Sequence, residues 1–224
     1  CYDRRGFGQS DEGPDFFNFY VSDKVRSESV KELELLRHWL GIDSFYILGQ
    51  CEGGVIAADY ALKYPARVRN MAISSTLCYS SMKMHEFNLS KFVRTFDQLD
   101  PELRTKLIGW HGDRTEILHN QFRQFGGAYG KDFFDLRPIL KQINCPTLVL
   151  YPDRSFLFEV EQGVEFYRNL PQGALAVLPN CGHNTYDEQP NEYVYQIVKF
   201  FDRKRLEELP QFEGYKASSV TCVS

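Results

Sequence analysis

The 224-residue sequence contains no CxxC pair, no HExxH helix and no acidic calcium loop, and Cys181 with His183 alone supplies too few ligands for structural zinc. No metal is therefore expected. No apolar run approaches the length of a membrane span, and the opening CYDRRG has neither the charged nor the apolar region of a signal peptide, so no membrane association is expected. Positive charge is not in excess either: a formal net charge of −4, with charged residues dispersed, leaves no basic footprint for nucleic acid. Tightly spaced cysteines are absent. The six that occur, at positions 1, 51, 78, 145, 181 and 222, are scattered along a chain too long to need disulfide staples, which points to free thiols in a reducing, cytoplasmic setting. An initiator methionine is also missing, and the chain is expected to be a piece of a longer protein.

Hydrophobic residues make up 43% of the chain and aromatic residues 15%, enough to bury the core of one domain with a subdomain attached. Short apolar runs alternate with longer helical patterns between glycines and prolines, which predicts an α/β fold with a mainly parallel sheet. A helix is expected from about Asp23 to Leu40, with Val25, Leu33, Leu36 and Leu40 inward and Gly41 ending it. Strands are expected at Phe45 to Leu48, covered on both faces, and at Arg69 to Ser75, Thr147 to Tyr151 and Ala174 to Leu178. Helices are expected at Glu159 to Asn169 and at Asn191 to Arg205, the second with Tyr195, Ile197, Val198 and Phe201 inward.

The richest segment is Gly49-Gln50-Cys51-Glu52-Gly53-Gly54, where a strand becomes a helix. One nucleophile-type side chain stands between glycines two positions away on either side. A nucleophile raised on a sharp strand-to-helix turn needs small neighbours at those positions, and the turn aims the first helix amides, that of Glu52 included, at the space above Cys51. The thiol then needs a lowered pKa, which a helix N-terminus and a nearby imidazolium supply. The plainer reading makes Cys51 a small buried hydrophobe in a tight turn. His183, preceded by Gly182 after a buried strand, is the candidate general base.

Residues 78–138 interrupt the β-α rhythm with helical patterns, one opened by Asp100-Pro101-Glu102 and another carrying Ile117, Leu118, Phe122 and Phe125. Such an insert after the carboxyl end of a strand suits a lid. Phe92, Phe96, Trp110, His111 and His119 are its candidate pocket residues, and its aromatic content favours a moderately apolar small molecule as substrate. The division that follows is 1–77 as core with the elbow, 78–138 as helical lid, 139–206 as core with acid loop and histidine, and 207–224 as tail.

Several of these motifs together resemble the α/β-hydrolase superfamily. Asp3-Arg4-Arg5-Gly6-Phe7-Gly8-Gln9-Ser10 is similar to a loop that follows the family's fourth strand, and Gly49 to Gly53 to its nucleophile elbow in a cysteine form. Cys145 to Leu150 is similar to its penultimate core strand, and Leu178 to His183 to the segment presenting its histidine. The resemblance implies Cys51 as nucleophile, His183 as base, elbow contributions from Gly49, Gln50, Glu52 and Gly53, and no cofactor. It also implies that the first strands are missing, leaving the elbow strand with an exposed edge. The family's acid position falls on Ser155, with Asp153 two residues early, so Asp153 either orients His183 or caps its own turn or pairs with Arg154. Ser74, Ser75 and Thr76 leave the alternative acid position empty as well. The implied activity is hydrolysis of an ester, thioester or related carbonyl. Acyl transfer to an alcohol and a non-catalytic, ligand-binding hydrolase fold are the alternatives.

Overall fold

The computed structural model describes residues 1–22 and 24–201. Helices α1 (Phe16–Tyr20) and α2 (Lys24–Trp39) lead into strand β1 (Phe45–Gln50), helix α3 (Glu52–Lys63) and strand β2 (Val68–Ser74). Helices α4 (Met84–Lys91), α5 (Pro101–His111), α6 (Thr115–Phe125) and α7 (Arg137–Leu140) separate β2 from strand β3 (Thr147–Pro152). Helix α8 (Glu161–Asn169), strand β4 (Gly173–Leu178) and helices α9 (Thr185–Glu188) and α10 (Pro190–Phe201) follow. The expected end of the last helix at Arg205, the tail 207–224 and Cys222 lie outside the described residues.

The chain divides into two compact units. One combines Glu34–Tyr79 with the described residues from Asp135 onward, and it holds the whole sheet. The strands run in the order β1-β2-β3-β4 and every neighbouring pair is parallel. Along β2 and β3 successive side chains enter different layers, as a pleated strand demands. Ala72, Leu148 and Leu150 join Leu178, Cys181 and Tyr193 in one cluster, against which Ile197, Phe200 and Phe201 of α10 pack. On the opposite layer Gly54 of α3 faces Ile73, and Gly163 of α8 faces Tyr151, each so closely that a Cβ would lie within 3 Å of that side chain. Small residues here let both helices approach the sheet. An ion pair at 2.8 Å between Glu34 and Arg37 extends to α3, because the Tyr60 hydroxyl donates to Glu34 at 2.6 Å. The Arg37 hydrogen bond, ahead of that from Tyr60, holds the Glu34 carboxyl down at about 2.

Burial departs from expectation at two places. Strand β1 is not covered on both faces: Ile47 is buried, but Tyr46 and Leu48 are 44% and 46% exposed. An all-apolar run carries no alternation, so the sequence had no signal for which face is open. Among the described residues β1 pairs with β2 alone and forms the sheet edge. In α2, Val25 is buried as expected while Leu40 is exposed, because Arg37 takes the inward place in the last turns and donates to Glu34 and to the Ile42 carbonyl.

The second unit comprises Cys1–Leu33 and Ser80–Phe134, so the helical insert shares its core with the amino-terminal segment. Phe16, Tyr20 and Leu118 form that core. The Asp3–Ser10 loop is clamped there: His111 Nδ1 accepts from Gly8 N–H at 3.0 Å, and Arg114 donates to the carbonyls of Gly8 and Ser10, both at 2.8 Å. Phe92 packs edge-on against Phe122, and Phe96 lies against His119. Among the described residues no helix is long and apolar enough to cross a membrane.

Candidate active site

Cys51 stands between β1 and α3 at φ 52° and ψ −119°, a backbone conformation that costs a non-glycine residue about 1–3 kcal/mol. Three contacts hold it. Its N–H donates to the Ser74 carbonyl at 2.9 Å, and its carbonyl accepts from Gly54 N–H and from the Thr76 hydroxyl, both at 3.0 Å. Glu52 follows as the first residue of α3. The steric demand on the glycines is distributed differently from the sequence expectation. A Cβ on Gly49 would come within 2.3 Å of the Gly53 carbonyl oxygen, and one on Gly54 within 2.0 Å of the Thr76 hydroxyl, whereas one on Gly53 meets nothing within 4 Å. Gly53 thus matters through its backbone, against which Gly49 must fit.

His183 arrives from the loop after β4, and its backbone is tied to the ends of β1 and β2. The Gln50 side-chain amide and the Ser75 hydroxyl both donate to the His183 carbonyl at 2.8 Å. Gln50 also accepts from Thr185 at 3.2 Å, and Thr185 shares a 2.8 Å hydrogen bond with Ser74. Gln50, expected only as an elbow neighbour, is a strut from the elbow to the histidine loop. Ser75 adopts a left-handed φ of 47° to reach it. The run Ser74-Ser75-Thr76, read from sequence as a vacant acid position, is the brace for both loops. Three small hydroxyl residues ending a buried strand were the available signal, since buried hydroxyls need partners.

The imidazole of His183 is buried, and burial pushes its pKa down to about 4. It is therefore neutral near neutral pH. Phe156 and Phe158 present T-shaped contacts at ring-centre distances of 5.7 and 5.6 Å. Its Nδ1 lies 3.1 Å from the Ser155 hydroxyl.

Asp153, the carboxylate candidate for orienting His183, does not fill that place. Its Oδ1 accepts from Cys181 N–H at 3.1 Å, and its other oxygen lies 3.8 Å from Arg154 Nε. The backbone N–H groups of Asn180 and Cys181, ahead of Arg154, hold its carboxyl below the usual range. The cause is local: Asp153 N–H bonds the Leu178 carbonyl and Arg154 N–H the Cys181 carbonyl, so the turn directs position 153 to the 180–181 loop and position 155 to the imidazole. Three other described cysteines of this unit have raised thiol pKa values. Burial pushes the thiols of Cys78 and Cys181 up to about 12 and about 11, and that of Cys145 upward. Among the described residues no three His, Cys, Asp or Glu side chains are grouped to hold a metal ion.

This arrangement has relatives. The family described as "alpha/beta hydrolase fold" matches residues 1–112. A proline iminopeptidase of Lactobacillus helveticus is 34% identical, over 90% of this chain and 79% of its own length. A pimeloyl-[acyl-carrier protein] methyl ester esterase of Nitrosospira multiformis is 26% identical, over 69% and 67%. Among solved structures, a meta-cleavage product hydrolase from Pseudomonas fluorescens IP01 superposes with a TM-score of 0.65 at 18% identity, covering 88% of this chain and 77% of that one. With an elbow at Cys51 and a parallel sheet behind it, the chain belongs to the α/β-hydrolase fold family, and the relatives named here are hydrolases.

Proposed function

We propose that the chain hydrolyses an ester, thioester or related carbonyl compound through transient acylation of Cys51, with His183 moving the proton. The observation that carries this reading is the strained elbow: a cysteine held at φ 52° at the head of α3 while the residue before it grips the histidine loop. The Cys51 S–H bond breaks as its proton passes to His183 Nε2, sulfur bonds the carbonyl carbon, and the carbonyl electron pair moves onto oxygen. The Glu52 amide, first in the helix, supports the oxyanion. Collapse expels the leaving group with the proton from Nε2. Water then attacks the acyl-cysteine, giving a proton to the imidazole and releasing the acid as the thiol reforms. A buried neutral imidazole can take this proton from its Nδ1–H form, which carries the lone pair on Nε2.

The segment 78–138 is proposed as the lid for a small-molecule substrate, supported by its position in the chain directly after β2, whose end bonds Cys51. The wide scatter of the six cysteines along the sequence supports a reducing, cytoplasmic setting. A second reading, a fold that binds its ligand without turnover, is favoured by the serine at His183 Nδ1.

Mass spectrometry after incubation with p-nitrophenyl acetate or an acyl thioester separates the two. Acylation at Cys51, absent in Cys51→Ala, together with iodoacetamide labelling of Cys51 ahead of Cys78, Cys145 and Cys181, is the expected result. Equal labelling of all four thiols and no adduct would replace the enzyme reading by the binding one.

A further inference from the structure

Three groups converge on the Ser155 hydroxyl oxygen: Leu157 N–H at 3.2 Å, Phe158 N–H at 3.1 Å and His183 Nδ1 at 3.1 Å. A hydroxyl has two acceptor lone pairs and one proton. Backbone N–H groups only donate, and these two occupy both lone pairs. The hydroxyl proton is what remains for the third neighbour, and its acceptor must be a nitrogen lone pair. We infer that Ser155 is a positioning residue that fixes His183 as the Nε2–H tautomer, with Nδ1 unprotonated.

A carboxylate at the same place would do the reverse. It accepts and never donates, so it holds Nδ1–H and leaves the Nε2 lone pair as the base. Ser155 instead puts a proton on the nitrogen turned away from it. The edge contacts of Phe156 and Phe158 confine the ring, and its burial keeps a second proton off. The functional consequence rests on the acyl-cysteine reading: thiol deprotonation must begin from the minority Nδ1–H form, while the resting imidazole stands ready as a hydrogen-bond donor. Serine here makes acylation slow without dismantling the site.

The test is nitrogen NMR of the intact protein labelled with 15N-histidine near neutral pH, with His183 assigned by its loss in His183→Asn. Wild type is expected to show Nδ1 in the unprotonated range and Nε2 in the protonated range. Ser155→Asp should reverse the pattern, because the introduced carboxylate can accept Leu157 and Phe158 N–H with one oxygen and Nδ1–H with the other. It should also raise the rate of Cys51 acylation by p-nitrophenyl acetate by about tenfold or more. Ser155→Ala, which keeps no donor, should give a mixture of tautomers and serves if Ser155→Asp fails to fold. A protonated Nδ1 in wild type, or an unchanged Nε2–H form in Ser155→Ala, would overturn the assignment. The expected tautomers combined with no acylation in any variant would leave the assignment standing and remove the acyl-cysteine reading instead.

Discussion

The elbow side and the acid side of the candidate site are built to different standards of constraint. At the elbow, both backbone polar groups of Cys51 are committed, its N–H to Ser74 and its carbonyl to Gly54 and Thr76, and Gly49 fits closely against Gly53. After β3, the chain carries its carboxylate two residues before the one that meets the imidazole, and Asp153 serves the 180–181 loop while Ser155 faces His183. Steric and backbone demands thus confine the elbow to one geometry, whereas on the acid side the group that faces the histidine is a side-chain hydroxyl held by two backbone N–H groups. A site can keep its shape on one side while its chemistry changes on the other.

The largest expected effect tests the constraint at the elbow. Gly49→Ala drives a Cβ into the Gly53 backbone, which has no flexible end to give, so it should cost more than about 3 kcal/mol in urea unfolding. Gly53→Ala meets open space within a helix and should leave stability unchanged or raise it by a few tenths to about 1 kcal/mol. Equal losses at the two positions would break the claim that the packing demand is local to Gly49.

An intermediate effect is expected from pH. His183 is depressed to about 4 in the folded protein, so between the ordinary histidine value and 4 the unfolded chain binds the extra proton. Stability contributed by the neutral ring is therefore full above about 6.5 and falls as pH drops toward 4, by on the order of 3 kcal/mol in all. Burial lowers His111 as well, so wild type must be compared with His183→Asn, whose unfolding free energy should fall less steeply across that window. Parallel slopes would mean the ring is not buried as described. Below about 4.5 the Glu34 carboxylate, held at about 2, begins to lose its own contribution and the comparison should stop there.

The smallest effect belongs to Asp153→Asn. An asparagine oxygen still accepts the Cys181 N–H, and the bond does not involve the imidazole, so kcat should stay within about twofold. A loss of about a hundredfold or more would return Asp153 to the catalytic machinery and erase the contrast between the two sides.

Most of the sheet and its helices were legible because glycines and prolines bounded apolar runs: the structure places β3 at Thr147–Pro152 and β4 at Gly173–Leu178, within one residue of expectation. The elbow was legible for the same reason, since a glycine-flanked cysteine between a strand and a helix has few other uses. What stayed hidden depended on contacts between distant residues. Nothing local marks Gln50 as the strut to residue 183, or Ser75 as its second anchor, because both roles exist only once β1, β2 and the loop after β4 are adjacent. Tyr193, the buried anchor of α10, was missed because its neighbours Tyr195, Ile197 and Val198 formed an equally apolar helical pattern.

The grip of Gln50 and Ser75 on the His183 carbonyl bears on substitution at position 155. Because the histidine loop also hangs by its main chain from the strand that leads to Cys51 and from the next one, its placement does not rest on the residue that faces the imidazole alone. Substitutions at position 155 are thereby partly shielded from the usual penalty of a collapsed site. Under the acyl-cysteine reading, an exchange of hydroxyl and carboxylate at position 155 would move the proton from one ring nitrogen to the other while these two main-chain anchors stay in place.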